Sequence, residues 1–352
     1  MRKTFIMKKR VVLGMSGGLD SSVSAYLLQK EGFEVIGITL RFSEASKCCS
    51  ELDVCDARKV AQKLGIEHYT IDVTGLFEEA VIDYFIKEYR EGRTPNPCAV
   101  CNRRVKFKTL FKKADELNAQ FIVTGHYARI QNKDNHYYLL KGKDSKKDQS
   151  YFLSRLKKEW LDRILFPIGK YDKKEVSKIA KKSKLPFFKK KESQEVCFIK
   201  GNDYRNFLIE KMPELMKPGN IINTEGIFIG EHKGIFYYTI GQRKGIQVNI
   251  NKPLYVISIN PKKNTITVGE EKDVYKKELS TEHTNWLAPT AEISKKVFVK
   301  IRSQHQPKEA EIKVRATEVF VKFTEPQMAI TPGQLAVFYK NDTVLGSGWI
   351  RK

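Results

Sequence analysis

The chain has 352 residues, 41% of them hydrophobic and 11% aromatic, which exceeds one ordinary domain and supplies enough apolar surface to offset conformational entropy. Global disorder is excluded, and no apolar run nears the roughly 18 residues of a membrane span. Its 64 Lys and Arg against 41 Asp and Glu leave a net charge of +23, a field that draws polyanions by counterion release and makes nucleic acid the first candidate partner.

The start, MRKTFIMKKR, is basic but lacks the apolar core of a secretory signal, and Met7 would serve as an alternative start. From Arg10 to about Cys197, strand-like and helix-like stretches alternate, as parallel strands joined by crossover helices do. Val11 to Gly14 predicts a strand, Ser21 to Lys30 a helix and Glu34 to Phe42 a second strand. Leu52 to Leu64 has helical spacing with Val60, Ala61 and Leu64 on one face, and Tyr69 to Val73 is extended. Phe77 to Tyr89 reads as an amphipathic helix presenting Phe77, Val81, Tyr84 and Phe85. The two prolines between Gly92 and Cys101 predict an irregular loop ahead of a helix from Arg103 to Leu117. Phe121 to Thr124 predicts a buried strand that delivers Gly125, His126 and Tyr127.

Residues 141 to 191 carry 16 Lys and 2 Arg against 4 Asp and 2 Glu, an excess of 12 that is either a solvated face or a track for phosphate. After Pro218-Gly219 the pattern turns all-β, with short segments at Ile227 to Ile229, Ile235 to Thr239, Tyr255 to Ile259 and Thr265 to Val268. A second set, Val297 to Ile301, Ala310 to Val314, Glu318 to Phe323, Leu335 to Tyr339 and Thr343 to Ile350, predicts a small barrel or sandwich. The expected class is α/β: an open parallel sheet over residues 1–203, a β-rich central part over 204–278 and a C-terminal β-barrel over 279–352.

The most informative stretch is Gly14-Met15-Ser16-Gly17-Gly18-Leu19-Asp20-Ser21-Ser22, between a strand and a helix. Its glycines admit an anion close to the backbone, and its serines and helix-start amides donate to phosphate oxygens. A Walker loop would end in Gly-Lys-Ser/Thr, and this loop has no such lysine, which disfavours γ-phosphate transfer. The plain alternative is a glycine-rich turn with Asp20 or Ser21 as helix cap. The segment resembles the loop of the PP-loop ATP pyrophosphatases, whose Rossmann-like, adenine nucleotide α hydrolase-like domain cleaves ATP between the α- and β-phosphates and adenylates an oxygen.

Six cysteines, Cys48, Cys49, Cys55, Cys98, Cys101 and Cys197, are grouped for reactive or metal chemistry in a reducing compartment, which points to the cytoplasm. Cys98 and Cys101 form C-x-x-C, which suits half a zinc site, a redox pair or two ligands of an iron–sulfur cluster. Zinc would need Cys48, Cys49 or Cys55 as partners, and an isolated Cys197 is most simply a core residue.

Longer segments resolve these choices by resemblance. Thr94-Pro-Asn-Pro-Cys-Ala-Val-Cys-Asn-Arg-Arg-Val-Lys-Phe107, Thr124-Gly-His-Tyr-Ala-Arg129, Lys147-Asp-Gln-Ser-Tyr-Phe-Leu153, Ser193-Gln-Glu-Val-Cys197 and Thr239-Ile-Gly-Gln-Arg-Lys-Gly-Ile246 resemble, in order, the tRNA-specific 2-thiouridylases. The resemblance implies ATP-dependent replacement of the C2 oxygen of the wobble uridine of tRNA by sulfur, with ATP and Mg²⁺ as cosubstrates. It implies that Gly14, Met15, Ser16, Gly17, Gly18, Leu19, Asp20, Ser21, Leu40 and Gly125 bind ATP. It further implies that Cys197 carries a persulfide and that Cys101 is the nucleophile or partner thiol, closing a Cys101–Cys197 disulfide when sulfur leaves. A basic surround of Arg103, Arg104 and Lys189 to Lys191 would favour thiolates. Asn96, Pro97 and Cys98 would line the pocket for the extruded base. His126, Lys147, Asp148, Gln149, Arg302, Ser303 and Gln334 would contact tRNA, with residues 141–191 along its phosphates. The partners implied are tRNAs accepting Lys, Glu and Gln and a persulfide donor such as a cysteine desulfurase or relay protein.

The sequence departs from the family at Cys98, where many members carry an Asp given an acid–base or base-positioning role, and at Ser303 and Gln304, where an aromatic residue and Arg are frequent. Cys98, Cys101 and Cys197 together would also suffice as three ligands of a [4Fe–4S] cluster with one open iron. Other readings are a PP-loop lysidine or amide synthetase, which would need no paired cysteines, and a non-catalytic RNA-binding protein.

Overall fold

Val11, Val12 and Leu13 lie fully buried in β1 (Arg10–Gly14), where a run of apolar, mostly β-branched residues suits a strand covered on both faces. The computed structural model describes residues 8–42, 51–186, 196–199, 203–246, 248 and 252–351. Cys48, Cys49, Lys189 to Lys191 and Ser193, which figure in the sequence analysis, lie outside the described residues. By compactness the chain forms two units: Met1–Ala80 with Cys98–Lys200 and Asp342–Val344, and Val81–Pro97 with Gly201–Asn341 and Leu345–Lys352. Among the described residues no helix is long and apolar enough to cross a membrane.

In the first unit β1 is flanked, in parallel, by β2 (Glu34–Arg41) and later in the chain by β4 (Phe121–Thr124). The sheet order is β3 (Glu67–Asp72), β2, β1, β4 and the short strand Ile164–Leu165. Helices α1 (Leu19–Lys30) and α2 (Glu51–Leu64) cover it, and Ala25, Leu28, Ala57 and Val60 join Val11 and Leu13 in one core. Leu19 and Val23 on α1 pack with Tyr127, Ile168, Val176 and Ala180 in a second. At about 1.5–3 kcal/mol for each buried aliphatic side chain, this packing fixes the start of α1 above the end of β1. Because β2 lies on one side of β1 and β4 on the other, their C-terminal ends open a crevice, the place where open α/β sheets bind ligands.

Two readings of helical segments need correction. The predicted irregular loop reaching to Cys101 is helical from Pro97: Pro97–Cys101 is α-helix and continues through a π-helical stretch, Asn102–Phe107, into Lys108–Glu116. Proline opens that helix because its first turn needs no donor at that position. The predicted helix from Phe77 to Tyr89 is interrupted, with Thr74–Phe77 and Asp83–Arg90 separated by a π turn at Glu78–Ile82.

The second unit holds the β structure. Its strands Gly219–Ile222, Phe228–His232, Tyr255–Asn260 and Thr265–Gly269 form a four-stranded sheet around Ile221, Val256, Ile266 and Val268. The strand predicted at Ile235 to Thr239 is instead a 3₁₀ turn, Ile235–Tyr237. Ile235 and Phe236 are both buried there, so the two-residue alternation of a strand fails. Tyr275–Trp286, Glu318–Met328, Lys308–Arg315, Lys296–Lys300, Leu335–Lys340 and Thr343–Ile350 follow one another as six neighbouring strands. Pairing of the first with the last closes them into a barrel.

Candidate functional site

The loop after β1 is tied down before it can cradle anything. Met15 donates its N–H to the Ile38 carbonyl at 2.8 Å, and its own carbonyl accepts from Thr39 Oγ1 at 2.9 Å. Thr39 Oγ1 also stands 2.8 Å from His68 Nε2, and since its one proton is given to Met15, the His68 ring is the donor of that second bond. Burial first, then the charge of Arg58, lowers the pKa of His68. Ser21 Oγ accepts from Ser16 N at 3.3 Å and donates to the Gly18 carbonyl at 3.1 Å, so both serines bracket the turn.

Two glycines make the close approaches that shape the cradle. Gly17 has φ of +67°, and a Cβ there would meet the Asp53 carbonyl oxygen at 2.5 Å. Gly125, directly after β4, would place a Cβ 2.8 Å from Ser21 N and 2.9 Å from Asp20 C. The loop, Gly125 and the first turn of α1 therefore stand together at the open end of the sheet. Leu40 is buried near the same end of β2.

A cation that no local sequence signal announces stands here. Lys173 Nζ lies 2.8 and 3.0 Å from the two carboxylate oxygens of Asp20, and Tyr127 donates its hydroxyl to Asp20 Oδ1 at 2.9 Å. Lys173 opens the helix Lys173–Lys182, whose N-cap Asp172 and Glu175 form a reciprocal capping box. The D-x-x-E pattern at Asp172 to Glu175 announced that helix start, but nothing local announced that its first lysine reaches residue 20.

His126 is half-buried between aromatic rings, stacked with Phe107 at 6.2 Å and edge-on to Phe166, with Nδ1 2.7 Å from Thr124 Oγ1. Burial first, then the charge of Lys106, lowers its pKa to about 3. The imidazole is neutral at physiological pH. The unfolded chain takes up a proton near pH 6.5 that the native ring refuses until about pH 3, so this contribution to stability is complete above pH 6.5 and is lost as pH falls toward 3. Nitrogen-15 spectra of the imidazole are expected to stay in the neutral form down to pH 5, and protonation near pH 6 would disprove this enclosure.

Cys55, Cys98, Cys101 and Cys197 are not joined to one another by disulfides. Cys98 is exposed and Cys101 is buried, three residues apart on the helical segment that begins at Pro97. Cys197 is half-buried, next to Phe198 and Ile199, which are both buried; Phe198 stands edge-on to Phe77 at 5.7 Å. Among the described residues no three His, Cys, Asp or Glu side chains gather as a metal site. Of the expected cations, Arg103 is half-buried with its pKa lowered, by burial first and Arg104 second, while Arg104 is exposed.

The residues expected at tRNA have defined local duties. Asp148 accepts from Gly142 N and from both the N–H and the hydroxyl of Ser150, and Gln149 Oε1 accepts from Tyr127 N. Lys147 is partly buried beside them. In the second unit Arg302 Nη2 donates to the Ile240 and Ala329 carbonyls and to Thr331 Oγ1. Ser303 beside it is exposed. Gln334 Nε2 donates to the carbonyls of Thr94 and Pro95 at 3.0 and 2.9 Å, bracing the approach to Asn96, which is buried with its N–H toward Tyr84 Oη.

Comparison with known proteins spans the whole chain. A family model described as a tRNA methyl transferase HUP domain matches residues 9–201, a tRNA methyl transferase PRC-barrel domain matches 205–270, and an aminomethyltransferase beta-barrel domain matches 276–350. A tRNA-specific 2-thiouridylase of Caldanaerobacter subterraneus subsp. tengcongensis is 48% identical over 359 residues, covering 98% of this chain and 99% of that protein. A like-named protein of Thermoanaerobacter sp. (strain X514) is 47% identical over the same span and coverage, and one of Clostridioides difficile (strain 630) is 44% identical over 357 residues with 98% and 99% covered.

Proposed function

The chain belongs to the tRNA-specific 2-thiouridylase family, and on that premise we propose that it exchanges the C2 oxygen of the tRNA wobble uridine for sulfur, using ATP. The observation that carries this reading is the combination, within one compact unit, of a glycine-shaped loop formed by Gly14–Ser22 and Gly125 with the cysteines Cys101 and Cys197.

ATP, arriving as its Mg²⁺ complex, lays its phosphates over Met15, Ser16, Gly17, Gly18, Leu19, Asp20 and Ser21, with Gly14 and Gly125 making room and Leu40 beside the nucleoside. A uracil carbonyl oxygen leaves poorly, so C2–O first attacks the α-phosphorus, and pyrophosphate departs with the electron pair of the broken bond. The terminal sulfur of a Cys197 persulfide then attacks C2 and displaces AMP, leaving the base joined to Cys197 through a disulfide. The Cys101 thiolate attacks the Cys197 sulfur, which releases 2-thiouridine and closes the Cys101–Cys197 disulfide. An external dithiol reduces that bond, and a persulfide protein recharges Cys197. Asn96, Pro97 and Cys98 line the pocket for the extruded base, and no step is assigned to a cluster. His126, Lys147, Asp148, Gln149, Arg302, Ser303 and Gln334 shape the tRNA face. Their polar contacts support a role in holding the backbone that meets the nucleic acid. The catalytic part comprises residues 1–203, followed by a central part over 204–278 and a terminal barrel over 279–352. The substrates are the tRNAs for Lys, Glu and Gln.

Anaerobically purified protein, given ATP, Mg²⁺, a persulfide donor and unmodified tRNA, is expected to form 2-thiouridine with one AMP per thiolated base. Mass spectrometry of the digested tRNA and AMP quantitation check it. AMP release without 2-thiouridine, or thiolation that requires bound iron, would overturn the reading.

A further inference from the structure

The loop lacks the lysine that phosphate-binding loops of another design carry at their end, and the fold supplies one from 153 residues away in sequence. The Lys173–Asp20 pair is about one quarter exposed on each side, 22% and 26%. Asp20 sits in the first turn of α1, between the loop glycines and Ser21, whose backbone N–H lies against Gly125. A carboxylate alone at that place would repel an entering triphosphate; paired with an ammonium it does not. Lys173 is held there by more than Asp20. Its backbone N–H donates to Asp144 Oδ2 at 3.1 Å, its helix is capped on both sides of the box, and its ammonium lies 5.7 Å from the centre of the Tyr127 ring.

We propose that Lys173 is a pyrophosphate-binding residue: when ATP occupies the loop, its ammonium turns from Asp20 to the β- and γ-phosphates and holds the pyrophosphate as it leaves. The inference rests on the adenylating reaction proposed above and adds a residue to it. As the bond between the α-phosphorus and the bridging oxygen breaks, the electron pair stays on that oxygen, and negative charge grows on the β-phosphate. A fixed ammonium beside the helix start offsets that charge without giving up its proton. The side chain is suited to the exchange because a lysine is a compact charge on a flexible stem, and Tyr127 continues to hold Asp20 when the ammonium moves. In the empty loop the same pair keeps the ammonium at hand.

The test is calorimetric binding of two probes, inorganic pyrophosphate and AMP, to the full-length wild type, Lys173→Met and Lys173→Arg, with steady-state thiolation alongside. For Lys173→Met, pyrophosphate binding is expected to weaken about tenfold or more, the worth of a charge-assisted contact. AMP binding should stay within about twofold of wild type under the same criterion. Lys173→Arg is expected to restore most of the pyrophosphate affinity, and kcat should fall in Lys173→Met with the tRNA KM unchanged. Lys173→Gln serves in place of the Met variant if that one does not fold. Equal loss of both probes would mean that Lys173 only props up the loop, and loss of neither would mean that it does not meet phosphate; either result overturns the proposal. A wild type that binds neither probe and forms no 2-thiouridine would instead defeat the adenylating reading itself.

Discussion

Cys197→Ser is expected to abolish 2-thiouridine formation, by about three orders of magnitude or more, while ATP and tRNA still bind. A serine oxygen accepts no sulfane sulfur, so the loss lies in chemistry and not in recognition. The fold should tolerate the change, because Cys197 is half-buried and its neighbours Phe198 and Ile199 anchor the segment. Thermal denaturation should therefore give nearly the wild-type midpoint. Cys101→Ser makes the complementary case. On the proposed route it should leave sulfur loading on Cys197 intact but remove the thiolate proposed to free the base, so a tRNA adduct that disappears on reduction should accumulate. Non-reducing gels with labelled tRNA read it. A Cys197→Ser enzyme with a tenth of wild-type product formation would dismiss the persulfide route.

The second large effect is at Gly17. Its φ of +67° and the 2.5 Å approach of a built Cβ to the Asp53 carbonyl oxygen mean that alanine must lift the loop off α2. We expect Gly17→Ala to weaken ATP binding about 100-fold and to lower stability by about 1–3 kcal/mol. Gly65 provides the control, since it has a similar φ of +62° but nothing within 4 Å of a built Cβ. Gly65→Ala should cost about 1 kcal/mol and leave ATP binding unaltered. Calorimetry for the nucleotide and urea unfolding for stability separate the two. Equal behaviour of both variants would remove the close approach from the account of the cradle.

The parts written in contiguous residues were legible. Gly14 to Ser22 declares its turn through glycines, and the alternation from Arg10 to Thr124 declares a parallel sheet, whereas the cap expected at Asp20 or Ser21 falls on Gly18, which makes no side-chain cap bond. The strand Tyr275–Trp286 escaped because its residues are mostly charged or polar and show little apolar alternation. The hairpin Ala128–Lys133 with His136–Lys141 was also passed over, although Asp134 and Asn135, both at positive φ, mark a tight two-residue turn. Two prolines before Cys98 suggested a loop because proline breaks helix interiors; Pro97 stands at the first helical position, where that objection lapses. Lys173 could not be found by any local rule, since its partner is 153 positions away. Nor could the duties of Arg302 and Gln334, whose donors are engaged with carbonyls supplied by distant turns.

The brace at Gln334 carries a lesson for anyone dissecting this chain. Residues 81–97 pack as part of the unit formed mainly by the C-terminal half: Tyr84 faces Trp349, Phe85 meets Phe207, and the Thr94 and Pro95 carbonyls hang on Gln334. An N-terminal fragment ending near residue 200 would thus strip the stretch leading into Pro97 of its scaffolding. Exchanging the barrel between relatives amounts to re-engineering the run-up to both thiols of C-x-x-C, so chimaeras need matched partners at 84, 94 and 95 as well as a matched barrel.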